Sequence, residues 1–521
     1  MNGAQALIRT LVDSGVDTCF MNPGTSEMHF VAALDKVPEM RGVLALFEGV
    51  ATGAADGYGR IAGRPAASLL HLGSGLGNGV ANLHNARRAH TPLVNIVGDH
   101  ATYHLKYDAP LTSDIASIAA AVSPGWLRTS ASSADVGADA ADAVAAAYGP
   151  PGQVATLILP ADVSWGDGAA TAAPAPVPSR AAVDGSTIDA VAKVLRSGES
   201  VAILLGGTTL REAALGAAAR IAAATGAKVL AETFPTCLER GAGVAPVERL
   251  GYLAEFMQFQ LQGVQHLVLV EAKAPVSFFA YPGKASELTP EGAGVHTLAA
   301  LGDDGTAALA ALADAVGAPA QVLAAAVQAA SRPELPTGPL AADSAAAVIG
   351  ALLPEGAIVS DESNTASLAL PAMTAGAPRH DWLTLTGGAI GQGMPVATGA
   401  AVAAPDRKVL SLEADGSAMY TLQALWTQAR EGLDVTTVIY SNRSYAILNV
   451  ELGRVGAETG PKAKAMFDLS QPPLDFVSLA QGMGVPATRA ETCEDFAAQL
   501  ERAIAEPGPA LVEAVMPAIT L

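Results

Sequence analysis

Short apolar runs such as VAILL (Val201–Leu205) and HLVLV (His266–Val270) recur along the whole chain, and most lead into a longer alanine-rich stretch. Runs this short and this apolar are buried on both faces as strands, and the helix after each one returns the chain so that the next strand lies parallel to the last. The pattern predicts α/β layers rather than a sandwich or a bundle. At 521 residues the chain exceeds the ~100–200 residues that one core accommodates.

The runs fall into three blocks. Strands are expected at Thr18–Met21, Val43–Phe47, Ala66–Leu70, Leu93–Val97 and Ala155–Leu159 in the first, and at Val201–Leu205, Ala227–Leu230 and His266–Val270 in the second. The third offers Ala357–Ser360, Val409–Leu412, Thr436–Tyr440 and Ala510–Ala514. GDGAATAAPAPVPSR (Gly166–Arg180) and SRPELPTGPL (Ser331–Leu340) read as joints, because their small and proline residues offer little to a core. The expected fold class is α/β, with three doubly wound parallel-sheet domains over residues 1–170, 181–330 and 341–521.

Fifty Asp and Glu against thirty Lys and Arg leave a formal charge of −20, which repels nucleic acid and anionic membranes as partners. Cys19, Cys237 and Cys493 are odd in number and form no CxxC pair, the usage of a reducing cytosol without a disulfide frame or zinc site. The N-terminal MNGAQALIRTLVDSG carries Arg9 and Asp13 at helical spacing, so it is expected to be neither signal peptide nor anchor. No apolar run reaches the ~18 residues of a bilayer span.

Three stretches carry chemistry. The run VLSL leads into Glu413-Ala-Asp-Gly-Ser417, and VTTVIY leads into Ser441-Asn-Arg-Ser444, so Asp415 and Asn442 fall at the C-terminal ends of two strands, where open α/β sheets place ligands. A carboxylate, an amide oxygen and a nearby backbone carbonyl at Ser444 form a hard-oxygen set suited to Mg²⁺ on a diphosphate, with Gly416 and Ser417 amides for phosphate oxygens. An Asp cap and an Asn turn would account for the same residues. Glu48 is a lone acid at the end of VLALF, either a helix cap or a functional carboxyl. His71 follows the run AASLL and titrates near neutrality, so it fits a proton relay as well as a structural role. GSGLGNG (Gly73–Gly79) fails the dinucleotide pattern because Asn78 replaces its third glycine.

Asp415-Gly416, twenty-five residues and then Asn442 resemble the fingerprint of thiamine-diphosphate-dependent enzymes, in which GDG is followed at this spacing by N or NN. Ala414 departs from its first glycine. The resemblance covers nearly the whole chain and is closest to the benzoylformate decarboxylase and acetolactate synthase-like branch. It implies pyrimidine-binding, central and diphosphate-binding domains in that order, and a homodimer or homotetramer with active sites between chains. Glu48 then matches the glutamate that hydrogen-bonds N1′ of the aminopyrimidine, with an apolar setting expected to raise its carboxyl pKa. Within GGAIGQGMP (Gly387–Pro395), Ile390 matches the wedge that bends the cofactor, and the Gly388 carbonyl would meet the 4′-amino group. Asn364 and Thr365 match diphosphate contacts. Thr25, in NPGT, stands where the decarboxylase places a serine on the substrate carboxylate, and His71, twenty-three residues after Glu48, matches its first catalytic histidine.

Departures narrow the reading. The decarboxylase's second catalytic histidine has no counterpart in APVSFFAY (Ala274–Tyr281), where Tyr281 is the nearest titratable residue. Glu451 replaces an aromatic in the substrate wall, which suits a small or polar substrate unless its side chain points to solvent. Leu111 stands where acetolactate synthases carry a phenylalanine. VAILLGGTTL (Val201–Leu210) resembles the start of the acetolactate synthase FAD site, but two glycines and two threonines are weak grounds for it, so FAD is not favoured and a structural role or a vestigial nucleotide groove is expected. The implied activity is decarboxylation of a small 2-oxo acid through an enamine. The alternatives are an acetolactate synthase-like carboligase and a cofactor-binding homologue without turnover.

Overall fold

The structure, a computed structural model, describes residues 1–518. It contains three sheets. The first is built from β1 (Thr18–Asn22), β2 (Arg41–Leu44), β3 (Ala66–Leu70), β4 (Leu93–Asp99), β5 (Leu127–Thr129) and β6 (Val154–Pro160), ordered β2-β1-β3-β4-β6-β5 and parallel throughout. The second holds β7 (Val201–Leu205), β8 (Lys228–Ala231), β10 (Glu248–Arg249), β11 (His266–Val270) and β12 (Gly294–Ala299) in the order β10-β8-β7-β11-β12, again parallel. The third adds β13 (Ala357–Glu362), β14 (His380–Thr384), β15 (Val409–Ala414), β16 (Val435–Ser441), β17 (Ala487–Ala490) and β18 (Ala510–Val515), ordered β17-β18-β16-β15-β13-β14.

A three-residue strand from mid-chain, β9 (Leu238–Arg240), crosses to the third sheet and pairs antiparallel with β14. Among the described residues no helix is long and apolar enough to cross a membrane.

The expected run Val43–Phe47 stops as a strand at Leu44, because Phe47 takes the extended capping conformation that starts the helix Glu48–Ala62. The segment Gly166–Arg180 is irregular but not loose: Ala169 N donates to Met1 O and Ala172 N to Thr10 Oγ1, and Ala169 is buried. All three cysteines are buried and free, and burial pushes the Cys19 thiol up.

Two helices hold the outer sheets together. Glu48–Ala62 of the first packs along Gly393–Ala403 of the third. The approach is close enough that a Cβ on Gly57 would collide with Val396 O and one on Gly399 with Ala54 O, so glycine is required on both sides. Gly57→Ala is therefore expected to cost about 1–3 kcal/mol in denaturant unfolding, as overpacking does. Gly482→Ala, at an exposed helix end with nothing near the new methyl, should change stability by less than ~1 kcal/mol.

Candidate functional site

Strand ends of the third sheet bring most of the expected residues together. β16, β15, β13 and β14 are neighbours, and past their C-terminal ends lie Asn442 to Ser444, Asp415 to Ser417, Asn364 with Thr365, and Gly388 with Ile390, respectively. Asp415 is buried, and its two oxygens accept from Gly416 N at 2.8 Å and Arg443 N at 2.5 Å. Burial pushes its carboxyl up to about 6 against those N–H donors. Asn442 Oδ1 accepts from Ser444 N at 2.9 Å. Asn364 takes a left-handed backbone at φ 50° and reaches Ser417 Oγ at 3.5 Å, while Thr365 is buried beside it.

Ala414 is extended at φ −76° and ψ 147°, a conformation any residue adopts, so the missing first glycine does not disturb the turn. The helix after it is a single turn, Asp415–Ala418. Among the described residues no cluster of three or more His, Cys, Asp or Glu is arranged for a metal. The carboxylate, amide and backbone-carbonyl oxygens of Asp415, Asn442 and Ser444 are of the hard type that Mg²⁺ takes, and the set is not of that clustered kind.

The first sheet presents its own strand ends. Thr25 lies three residues past β1, Glu48 four past β2 and His71 immediately after β3, and these strands are neighbours in the order β2-β1-β3. The apolar enclosure expected for Glu48 is corrected: the side chain is half-buried, at the first position of its helix, and Asn78 Nδ2 donates to its Oε2 at 3.0 Å. The asparagine that spoils the dinucleotide motif is thus the partner of this acid.

Thr25 is exposed on its turn, and the His71 ring packs so close to Gly24 that a Cβ there would collide with it. Glu27, which sequence reasoning missed, meets His71 Nδ1 at 2.7 Å and accepts from Gly24 N at 2.7 Å. It is fully buried, and burial pushes its carboxyl up while the histidine and the Gly24 N–H oppose that shift. The only sequence signal was its place two residues after Thr25; the 44-residue separation from His71 hid the pair.

One chain joins these two edges. Asn82 Nδ2 donates both to Gly49 O at 2.8 Å, next to Glu48, and to Gly391 O at 3.1 Å, next to Ile390. Asn85 Nδ2 donates to Ala389 O at 2.8 Å. From beneath, Glu362 accepts from Gly391 N at 2.6 Å and Gly393 N at 2.5 Å, so the turn bearing half-buried Ile390 is held at every second amide. Glu362 pairs in register with Glu413 on β15. Burial pushes both carboxyls up, Glu362 to about 7. The two N–H donors on Glu362 oppose its upward shift, while the neighbouring Glu362 carboxylate adds to that of Glu413, whose Oε1 accepts from Ser411 Oγ at 2.8 Å.

A second wall comes from mid-chain. Phe278 covers Gly388, whose added Cβ would stand 2.6 Å from its ring, and stacks on Tyr252 at 5.2 Å between centroids. Glu451 does not point to solvent: Tyr281 donates to its Oε2 at 2.6 Å and Tyr252 to its Oε1 at 3.1 Å. Arg454 lies over the Tyr281 ring at 4.3 Å. Leu111, by contrast, is exposed at the surface.

Two α/β sheets joined through a hydrogen-bonded turn, the first with an acid and a histidine past its strand ends and the third with an Asp–Asn oxygen set, form the framework of a cofactor-binding α/β protein. Residues 1–119 match the family "Thiamine pyrophosphate enzyme, N-terminal TPP binding domain" and residues 365–514 match its C-terminal TPP binding domain. A Mycobacterium tuberculosis protein named "Putative acetolactate synthase large subunit IlvX" is 66% identical over the whole of both chains. A Pseudomonas aeruginosa benzoylformate decarboxylase is 30% identical over 96% of each. The solved structure of a Rhodococcus jostii thiamine diphosphate-dependent 4-hydroxybenzoylformate decarboxylase superposes with a TM-score of 0.84 at 25% identity over 100% of both chains. The chain belongs to the thiamine-diphosphate-dependent enzyme family.

The Glu362–Glu413 pair makes a pH prediction. A carboxyl raised from 4.5 to about 7 by folding stabilises the folded state below the lower value, and that contribution is lost as pH rises through the upper one. The unfolding temperature of cofactor-free protein should fall between pH values of about 4.5 and 7, and Glu362→Gln should flatten that fall.

Proposed function

We propose that the chain is a thiamine-diphosphate- and Mg²⁺-dependent 2-oxo acid decarboxylase. In this reading residues 1–170 bind the pyrimidine, 341–521 bind the diphosphate and metal, and 181–330 form the central domain. Asp415, Asn442 and the Ser444 carbonyl would hold Mg²⁺; Asn364, Thr365, Gly416 and Ser417 would hold the diphosphate; and Gly388 and Ile390 would contact the rings of the cofactor. The observation that carries the reading is the convergence of these residues on adjacent strand ends, tied through Asn82 to the start of the Glu48 helix. The protein acts as a homodimer or homotetramer in a reducing cytoplasm, the compartment its free thiols suit.

Thiamine diphosphate, when bound, supplies the electron sink for the pair released with CO₂. The chain supplies proton control. Glu48 keeps an oxygen free of protein partners among the described residues and exchanges a proton with the ring nitrogen of the pyrimidine. His71, oriented by buried Glu27, delivers or removes a proton at the substrate oxygen, and Thr25 faces the substrate carboxylate. Tyr252 and Tyr281 occupy the wall with Glu451 between them, a polar lining that suits a small or polar 2-oxo acid better than an aryl one.

Carboligation to a second 2-oxo acid is the second reading, favoured by the name of the 66% identical relative. Product analysis with pyruvate separates the two, aldehyde supporting decarboxylation and acetolactate supporting transfer.

Glu48→Gln should retain cofactor and lose about 10²–10⁴-fold in turnover, as removal of an acid–base group does. Full activity in that variant would leave the enzyme without its activating carboxyl and overturn the assignment, and no turnover in either form would support a binding homologue. Glu451→Ala should raise kcat/KM for benzoylformate relative to pyruvate by about tenfold or more, the scale on which pocket volume discriminates.

A further inference from the structure

The chain of the second sheet passes outward from β7 to β8 and β10, then returns to the other side of β7 as β11 and β12. Strand order therefore reverses between β7 and β11, and the crevice outside the carboxyl ends at such a reversal is where open α/β sheets bind nucleotides. The donors a diphosphate would use are all present there. They are Gly207 N–H, Thr208 N–H and its hydroxyl after β7, the Gly305 N–H at the start of the eleven-residue helix Gly305–Ala315, and the Arg180 guanidinium.

Every one of them is taken by the chain itself. Glu271, the first residue past β11 and only 2% exposed, accepts from Thr208 N at 2.8 Å, Thr208 Oγ1 at 2.9 Å, Gly305 N at 3.3 Å and Arg180 Nη1 at 3.3 Å. Glu271 receives these four donors from a left-handed backbone at φ 51°, a conformation that favours glycine. Glu232, the first residue past β8, accepts from Gly207 N at 3.0 Å. The mouth between the two strands is bridged as well, Gly206 N donating to Val270 O at 3.0 Å.

We propose that this crevice is a nucleotide-type site shut by the chain's own Glu271 and Glu232, so that the central domain takes neither a flavin nor an adenine nucleotide while both carboxylates are in place. A diphosphate would have to displace two carboxyl groups that already occupy its donors, and any charge they carry would repel it at hydrogen-bond distance from the same groups. The vestigial groove expected from VAILLGGTTL thus has a named occupant. The proposal does not depend on the decarboxylase reading, since it concerns a different sheet.

Titration of the full-length protein with ADP and with FAD tests it, by calorimetry for the first and by flavin fluorescence for the second. Wild type should bind neither in the micromolar range, whereas Glu271→Ala, which frees the Thr208 and Gly305 N–H groups, should bind ADP at least about tenfold tighter than wild type. Glu271→Gln keeps the side-chain volume and removes the charge, so it should show a smaller gain and serves alone if the alanine variant does not fold. Micromolar binding of either ligand by wild type would overturn the closure, and so would a folded variant that binds ADP no tighter than wild type.

Discussion

Asp56 and Arg60 form an ion pair with no exposed side-chain surface, and the rest of the site is arranged around it. A buried pair repays its desolvation only when geometry is good and the remaining hydrogen-bonding positions are filled. Here Arg60 grips Asp56 bidentately at 2.8 and 2.6 Å, Thr91 and Gln392 donate to the same carboxylate, and Arg60 goes on to Thr384 O and Thr386 Oγ1. Three of these partners, Thr384, Thr386 and Gln392, flank the turn that carries Gly388 and Ile390. A pair one turn apart on the Glu48 helix thereby fixes the position of a loop more than 300 residues away. Removing either partner would leave an uncompensated charge at the junction of the two sheets.

That junction explains why the functional residues need no long side chains to meet. Parallel sheets place every strand's C-terminal end on one edge, so residues from four separate segments of the third sheet become neighbours without any contact in sequence. The first sheet repeats the arrangement with β2, β1 and β3. Asn82 and Asn85, on the helix after β3, then need only their short amides to span from one edge to the turn of the other.

Much of this was legible in the sequence, for physical reasons that also mark where legibility stops. Uninterrupted apolar runs showed β7 and β11 to the residue, because both faces of those strands are buried. β14 was missed because HDWLT contains a histidine and an aspartate; Asp381 is made tolerable inside by Arg407 at 2.7 Å and Arg211 at 3.3 Å, partners that no local pattern shows. β9 escaped for a related reason, since it pairs with a sheet more than 100 residues further along. Motif spacing pointed to Asp415 and Asn442. It was silent on Glu27 and Glu362, whose roles consist of hydrogen bonds to other segments.

Those hidden acids give Glu48 its meaning. Glu27, Glu271 and Glu362 are each buried and each hold two or more donors, chiefly backbone N–H groups, so their charge or proton is committed to the fold. Glu413 is buried with them, and burial beside Glu362 pushes its carboxyl up. Glu48 receives a single side-chain amide and is half-buried at the start of its helix. Glu27 also leaves one oxygen, Oε1, without a partner among the described residues, but that oxygen is buried; a carboxyl that exchanges a proton with a ligand must keep an uncommitted oxygen within reach of it, as half-buried Glu48 does. The contrast within one acidic chain sets Glu48, the acid proposed to work on a ligand, apart from the acids that hold the walls.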